Sequence, residues 1–281
     1  MEVKCETFHY QNNVRELLDY IDEYQPDVVS NAVIGEDGII GLLDLLQIPY
    51  IGSGAFSSMT TDSKYLTKLI LKDACHHVPD GFSLRKGQQL QEAREKMKSS
   101  GLSFPIIVKP NTMGSKIGIT YVVSSCELEE AIKKAFQCDD VILVEEFIEG
   151  RELCISVIVE GKSIQILKPI ETLHEDRSAD FMINEKSSYV VARNISDELN
   201  QKIQDLVEDV VKEFELTSLF RIDVIEDSKG ELFVLEVTTA PGLSSTSVFP
   251  KAALASGISR KELIRILINS SLVSENDIMS G

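Results

Sequence analysis

Two acidic residues near the C-terminal end of the chain lie in apolar stretches that the sequence predicts to be neighbouring strands. Asp223 belongs to LFRIDVIED and Glu236 to ELFVLEV. If Lys229-Gly230 forms a two-residue hairpin turn, Asp223 pairs directly with Glu236, and the two carboxylates repel each other unless a positive charge lies between them. The pattern admits two interpretations: a divalent cation held by both carboxylates, or an ion pair of Asp223 with Arg221 beside a solvated Glu236.

Basic and glycine-rich residues upstream of this hairpin could hold a phosphate chain. Lys109 ends the apolar stretch PIIVK, where its ammonium group needs an anion or solvent. The loop that follows, NTMGSKIG, offers flexible backbone and N–H donors around Ser115, although it lacks the GxxxxGK[ST] spacing of a Walker A loop. The stretch VEEFIEGRE is rich in glutamate and could contact a ribose or an exocyclic amine, or face water.

Alternating apolar and amphipathic stretches predict a small parallel α/β unit over residues 1–60. VKCETFHY and DVVSNAV are typical of strands, and the stretch NNVRELLDYIDEY places Val14, Leu17, Leu18 and Ile21 on one face of a helix. GEDG precedes another helix, and IPYIGSG is typical of a strand that ends in a glycine turn.

Two further units are predicted over residues 61–150 and 151–281. The first begins with the helix TDSKYLTKLILKDA, capped by Thr61 or Asp62, and continues with an antiparallel hairpin that has NTMGSK at its tip. The second contains the strands of ELCISVIVEGKSIQILKPI, a polar irregular loop over 171–188, a long helix capped by Ser196, the hairpin described above and two short helices.

The composition argues against several classes of function. The chain of 281 residues has 28 Lys and Arg against 45 Asp and Glu, a formal net charge of −17, and such a surface repels a nucleic-acid backbone. No apolar stretch approaches the ~20 residues of a membrane-spanning helix. Five cysteines without a CxxC pair or a signal peptide predict free thiols. We therefore expect a cytoplasmic protein that binds neither nucleic acid nor membrane.

Taken in order, these motifs resemble those of the D-alanine–D-alanine ligase family of ATP-grasp enzymes. From Gly35 to the end of the chain, the matching residues run GEDG…IPYIGSG…DSK…IIVKP…GS…G…VEEFIEG.E…FRIDV…LEVTTAPG…S. The resemblance implies an ATP-grasp fold of α/β and α+β class: a small parallel N-terminal domain, then two α+β subdomains with ATP between antiparallel sheets. It also implies that ATP phosphorylates a carboxylate and that an amine attacks the acyl phosphate, giving an amide, ADP and phosphate.

Roles for individual residues are implied by the same resemblance, position by position. Lys64 and Lys109 match the lysines that hold the ATP phosphates, and Ser115 matches a loop serine near ATP and the first substrate. Arg221 and Gly242 match groups that stabilise the tetrahedral oxyanion, and Ser247 matches the serine that receives the second substrate's carboxylate. The nucleoside pocket corresponds to Glu145, Glu146, Ile148 and Glu152, and the metal ligands correspond to Asp223, Glu236 and Thr238.

The sequence departs from the family pattern mainly where the family binds its first amino acid. No counterpart is found for the glutamate that receives that substrate's amine, and the histidine expected before GEDG is Ala32 or Val33. Asp180-Phe181 stands nearest to the position of a Lys-Tyr pair. Thr238 replaces an asparagine that helps Glu236 hold a second metal ion, so the number of bound metals is open.

These observations predict an ATP-dependent carboxylate–amine ligase that joins amino acids, which need not be D-alanine. Its cofactors are ATP and Mg²⁺, with Mn²⁺ as a substitute, and its partners are small carboxylates and amines; the family resemblance also implies a homodimer. Two other interpretations stay open: a nucleotide-binding homologue without catalysis, acting as a subunit or regulator, and a D-alanine–D-alanine ligase with altered substrate contacts.

Overall fold

The N-terminal part of the computed structural model contains two short parallel strands. The structure describes residues 3–32, 38–88, 90–114, 116–174 and 187–278. Helix residues Ile21, Ile39 and Leu43 form a small core beside the strands, as the predicted parallel α/β unit requires. The elements are α1 (Val14–Tyr24), β1 (Val29–Ser30), α2 (Gly38–Leu46) and β2 (Tyr50–Ile51), with β1 pairing in parallel with β2.

The first stretch of the chain does not form the strand that VKCETFHY predicts. Residues 3–10 have no regular secondary structure, and among the described residues the N-terminal sheet consists of β1 and β2. The ring of Phe8 lies 4.8 Å from that of Tyr20 on α1. The prediction was wrong: Phe8 packs against a helix and Val3 is exposed, and alternation alone does not show whether a stretch lies against a sheet.

An antiparallel sheet of four strands, in the order β3–β6–β4–β5, follows in the chain. Its buried residues, including Ile106 and Val144, form one core with Ala93 and Ala131 of two helices. Strands β4 and β5 form the predicted hairpin around NTMGSK. The elements are α3 (Ala55–Asp62), α4 (Lys64–Asp73), β3 (Gly81–Arg85), α5 (Leu90–Ser100), β4 (Ile106–Pro110), β5 (Thr120–Val122), α6 (Leu128–Phe136) and β6 (Val141–Glu146).

Helix α4 begins one or two residues later than predicted and is fixed to the four-stranded sheet. Its N-cap is Ser63, whose Oγ accepts a hydrogen bond from Leu66 N, whereas Thr61 and Asp62 belong to α3. Asn111, directly after β4, accepts from Tyr65 N at 2.9 Å through Oδ1 and from Lys64 N at 3.2 Å through its backbone oxygen. The free N–H groups at the start of α4 are thus satisfied by the end of β4.

The C-terminal half contains a second antiparallel sheet, in the order β10–β9–β7–β11–β12, with β8 beside β7. Strands β9 and β10 occupy both ends of the predicted irregular loop 171–188, and residues 175–186 lie outside the described residues. Helix α9 has 19 residues and is not the short helix predicted. The elements are β7 (Gly150–Glu160), β8 (Ser163–Ile166), β9 (Ile170–His174), β10 (Ser187–Val191), α7 (Asp197–Glu213), β11 (Ser218–Asp227), β12 (Leu232–Thr238), α8 (Val248–Ala255) and α9 (Arg260–Ile278).

Helix α7 buries the predicted apolar stripe against one face of this sheet. Ser196 caps the helix by accepting from Leu199 N at 3.1 Å. Ile203, Val207 and Val210 are almost completely buried and belong to one core with alternate residues of β7, β11 and β12. Because alternate residues of a strand point to opposite faces, the remaining residues of these strands point away from α7.

A β-bulge sets the pairing of β11 with β12. Asp227 N donates to Glu231 O, so three residues lie in the turn rather than two. Val224 pairs with Val234, but Asp223 pairs with Glu236, which leaves Leu235 as the extra residue. The bulge places both Leu235 and Glu236 on the face away from α7, whereas an unbroken alternation from buried Val234 would turn Glu236 into the core.

The side chains that point away from α7 on the second sheet approach the first sheet across a cleft. A cavity of about 320 Å³ there is lined by residues of β4, β6, β7, β11 and β12, a volume within the range of small-molecule sites. In the described ranges, no helix has the length and apolar character needed to cross a membrane.

Candidate nucleotide site

The structure brings most of the predicted site residues to this one cavity. The β4–β6 side contributes Lys109, Glu145 and Glu146, and the opposite sheet contributes Arg221, Asp223 and Glu236. Lys64, Ile148 and Glu152 also line it. Ser115 lies outside the described residues, and Thr238, Gly242 and Ser247 are not among the lining residues, although Val248, next to Ser247, is.

Asp223 and Glu236 face each other with two cations beside them. Arg221 donates to both oxygens of Asp223, from Nε at 2.7 Å and from an Nη at 2.6 Å. The same Nη lies 3.6 Å from Glu236 Oε1, and Lys64 Nζ lies 3.3 Å from Glu236 Oε2. The ion pair of Arg221 with Asp223 is therefore present, but Glu236 is not simply solvated, because two cations also approach it.

These charges move the pKa values of the two carboxyl groups in opposite directions. Burial raises the pKa of Asp223 to about 6, against the opposing effect of Arg221. Burial acts in the same direction on Glu236, but Lys64 and Arg221 outweigh it and lower the pKa of Glu236 to about 2. Asp223 in turn raises the pKa of the Arg221 guanidinium. Lys64 and Arg221 thus favour the charged form of Glu236, whereas burial disfavours the charged form of Asp223.

The donor set fits one hard divalent cation. Mg²⁺ in proteins commonly takes one or two carboxylates and completes its octahedron with water and phosphate oxygens. Asp223 and Glu236 are directly paired across two strands, and the oxygens of each retain lone pairs beyond those used in the ion pairs. Within the described residues no group of three or more His, Cys, Asp and Glu side chains could hold a metal ion, so further ligands would come from Thr238, phosphate or water.

Glu145 lines the cavity, and both of its carboxylate oxygens are engaged by lysines. Its Oε2 accepts from Lys109 Nζ at 2.8 Å and its Oε1 accepts from Lys68 Nζ. All three side chains are less than one-tenth exposed. Although burial opposes ionisation, Lys109 and Lys68 hold the pKa of Glu145 below its usual range, and Glu145 raises the pKa of Lys109 despite burial.

The segment between the two sheets forms another wall. Glu146 accepts from Asp80 N at 2.9 Å through Oε1, which fixes its carboxylate beside Phe147 and Ile148. Glu152, at the start of β7, lines the same region. This wall combines apolar surface with carboxylate oxygens, the combination that suits a flat base carrying an exocyclic amine and a ribose carrying hydroxyls.

The loop after β12 packs tightly around Gly242. A Cβ atom at position 242 would lie 2.7 Å from Ser247 Oγ, so a larger residue there would require the Ser247 hydroxyl to turn away. Ser247 precedes the first residue of α8, but its side chain makes no capping hydrogen bond and instead lies 2.8 Å from Ser244 Oγ. The first N–H groups of α8 therefore lack a side-chain cap from Ser247, an arrangement that suits a carboxylate.

The sequence patterns did not predict several residues that line or support the cavity. Cys154, Thr172 and Tyr189 line the cavity from β7, β9 and β10, and Lys68 lies behind Glu145. Lys68 had a detectable signal, because it follows Lys64 by four residues on one helix and so lies on the same face. The positions of Thr172 and Tyr189 were hidden because both lie in or beside the stretch taken to be an irregular loop.

Comparisons with known proteins agree with this architecture. The family model described as "D-ala D-ala ligase C-terminus" matches residues 71–269. A D-alanine–D-alanine ligase of Carboxydothermus hydrogenoformans is 37% identical over 242 residues, which cover 83% of this chain and 77% of the relative.

Solved structures show the same similarity in three dimensions. A Bacillus anthracis D-alanine–D-alanine ligase complexed with ATP has a TM-score of 0.79 at 26% identity, covering 95% of this chain and 85% of that one. The VanG D-Ala:D-Ser ligase of Enterococcus faecalis has a TM-score of 0.77 at 26% identity, covering 87% and 73%.

The fold and the site together define an ATP-grasp protein, an ATP-dependent ligase that forms ADP. The predicted fold class and enzyme class are thereby confirmed. More narrowly, the chain belongs to the D-alanine–D-alanine ligase family.

Proposed function

We propose that this protein joins two amino acids through an amide bond and uses ATP to activate the carboxylate of the first as an acyl phosphate. One observation carries the proposal: Asp223 and Glu236 face each other in a cavity to which Lys64 and Lys109 also contribute. Phosphoryl transfer needs charge neutralisation and positioning more than covalent help, and these four side chains supply both.

In the first step, a carboxylate oxygen of the first substrate attacks the γ-phosphorus of ATP, the bond to the β–γ bridging oxygen breaks, and ADP leaves. Lys64 and Lys109 bind phosphate oxygens. Asp223 and Glu236, with the hydroxyl of Thr238, would hold Mg²⁺ or Mn²⁺, which when bound neutralises phosphate charge. The segment with Glu146, Ile148 and Glu152 receives the nucleoside, and the family resemblance alone assigns Ser115 to ATP and the first substrate.

In the second step, the amine of the second substrate attacks the acyl carbon, the C–O bond to phosphate breaks as the amide forms, and the leaving phosphate takes up the proton lost by the nitrogen. The Arg221 guanidinium and the Gly242 N–H stabilise the oxyanion of the tetrahedral intermediate. Ser247 and the first N–H groups of α8 bind the carboxylate of the second substrate. The division into units 1–60, 61–150 and 151–281 then assigns ATP to the cleft between the second and third units.

The proposal is tested by incubating the protein with ATP, Mg²⁺ and pairs from a panel of D- and L-amino acids. D-alanine and D-serine belong in the panel because the names of the relatives contain them. Phosphate release and the product's mass are measured together. We expect one group of pairs to give phosphate and dipeptide in equal amounts. ATP binding without ADP formation across the whole panel would contradict catalysis and favour a regulatory subunit.

The homodimer implied by the family resemblance stays a prediction. Light scattering on the full chain gives the molar mass in solution, and a value near that of one chain, 31.2 kDa, would contradict it.

A further inference from the structure

A buried triad of charged residues lies behind the phosphate side of the cavity. Lys68 from α4 and Lys109 from β4 each donate to a different oxygen of Glu145 on β6. Lys109 and Glu145 line the cavity, whereas Lys68 is not among the lining residues. The triad thus joins a residue behind the cavity to one that faces it, through a single carboxylate.

The charges of the triad do not cancel. One lysine would neutralise Glu145, and burying a second ammonium group is costly unless an anion compensates for it. With both lysines protonated the triad carries one positive charge in excess, and Lys109 is the lysine of the triad that lines the cavity. Burial lowers the pKa of Lys68 to about 7, against the opposing effect of Glu145.

The triad also fixes the helix that carries the other phosphate lysine. Lys64 and Lys68 lie one turn apart on the buried face of α4, and Asn111 fixes the start of that helix to the end of β4. Lys64 Nζ donates to Met113 O at 2.9 Å, in the loop after β4. Displacing Lys68 would therefore move the ammonium groups of Lys64 and Lys109, which line the cavity.

We propose that Lys68 is a positioning residue for the ATP phosphates, acting through Glu145 on Lys109 and through α4 on Lys64. Lys68 shares Glu145 with Lys109, so Lys109 is not wholly neutralised and retains attraction for an anion. Glu145 is then the anchor of this triad rather than a ligand of the nucleoside. This inference rests on the proposed function, since it takes ATP to be the anion.

The test compares Lys68→Met with a matched control on the same helix, Lys72→Met. Lys72 follows Lys68 by one turn, but its side chain is 63% exposed and pairs with Asp80 at the surface. Calorimetry measures binding of ATP with Mg²⁺, and ligand-observed NMR measures binding of adenosine. We expect Lys68→Met to weaken ATP binding about 10- to 100-fold, the scale seen when a residue that orients a metal ligand is lost. Adenosine binding should be unchanged. We expect Lys72→Met to change neither.

Two further measurements separate the alternatives. Lys68→Arg keeps the charge and should restore most of the ATP affinity; if Lys68→Met does not fold, Lys68→Gln takes its place. Equal loss of ATP and adenosine binding would show a general packing defect and overturn the proposal, as would unchanged ATP binding. Because the readout is binding, a protein that binds ATP but makes no dipeptide would contradict the proposed function and leave this test intact.

Discussion

Arg221 is the residue on which the charge balance of the cavity depends. It donates twice to Asp223 and lies 3.6 Å from Glu236, so one guanidinium lies beside both carboxylates. The residue types and their alternation predicted that these three side chains share a face. The sequence could not decide between a metal site and an ion pair, because the two are compatible. Arg221 pairs with Asp223, and both carboxylates still have lone pairs that could bind a cation.

Glu236→Gln should abolish most turnover while leaving the fold intact. The amide keeps the shape of the side chain but removes the charge that neighbours Lys64 and would hold the divalent cation. We expect the rate of ADP formation to fall by about 100-fold or more, the scale on which loss of one preorganised electrostatic group acts. The rate is measured at saturating ATP over a range of Mg²⁺ concentrations, and far-UV circular dichroism checks the fold.

Glu231→Gln is the matched control, since Glu231 lies just before β12 and pairs with Lys202 far from the cavity lining. It should retain the wild-type rate. Equal rates for Glu236→Gln and the wild type would show that Glu236 is not a metal ligand.

Cys154 should resist alkylation in the folded protein although it lines the cavity. It is 3% exposed, and burial raises the pKa of its thiol, whereas Cys5, Cys75 and Cys126 are exposed free thiols. Because the thiolate is the reactive form, N-ethylmaleimide should modify the exposed three first and Cys154 only in urea. Peptide mass spectrometry identifies each site. Modification of Cys154 in native protein as fast as Cys126 would contradict this assignment.

At the scale of elements, the pairing of Asp223 with Glu236 was predicted correctly from a turn length that was wrong. A two-residue turn predicts that Asp223 pairs with Glu236. The hairpin has a three-residue turn, which shifts the pairing by one, and the bulge at Leu235 shifts it back. Turn residues are visible in a sequence, but a bulge depends on which side chains the sheet must bury, and that is a tertiary property.

The sequence predicted helix α4, but it could not predict which face of this helix is buried. Lys64 and Lys68 are buried, while Leu66 and Leu69 are 46% and 48% exposed. An amphipathic pattern would bury the leucines. The two lysines are buried because they form ion pairs with Glu236 and Glu145. These partners are distant in the chain, so no local pattern can predict the contacts.

Removing the cap of α4 should affect ATP binding, whereas removing the cap of α7 should not. Ser63→Ala and Ser196→Ala each delete one N-cap, at a cost of about 1 kcal/mol in the free energy of unfolding. Only Ser63 also bonds to Asn111, which ties α4 to β4. We expect similar losses of stability in urea denaturation but a higher KM for ATP in Ser63→Ala alone. Equal KM values in both variants would show that this cap does not position Lys64.

At the scale of the whole molecule, an acidic protein concentrates several cations in one cleft. The chain has a formal net charge of −17, yet Lys64, Lys109 and Arg221 all line the cavity. These residues come together only when the two sheets and α4 pack against each other. The site was therefore predicted from the order of the sequence motifs and not from the net charge.

ATP with Mg²⁺ should stabilise the folded protein through its phosphates. A ligand at 100 times its Kd adds about 2.7 kcal/mol, which for a chain of this size raises Tm by roughly 5–10 °C. Differential scanning fluorimetry should show this shift with ATP and Mg²⁺, a smaller shift with ATP and EDTA, and little with adenosine at the same concentration. Lys109→Met should lose most of the ATP-dependent shift, because the remaining pair of Lys68 with Glu145 is neutral and no longer attracts an anion. An equal shift from adenosine and ATP would mean that the phosphates contribute nothing to binding, and the assignment of Lys64 and Lys109 as phosphate ligands would then be wrong.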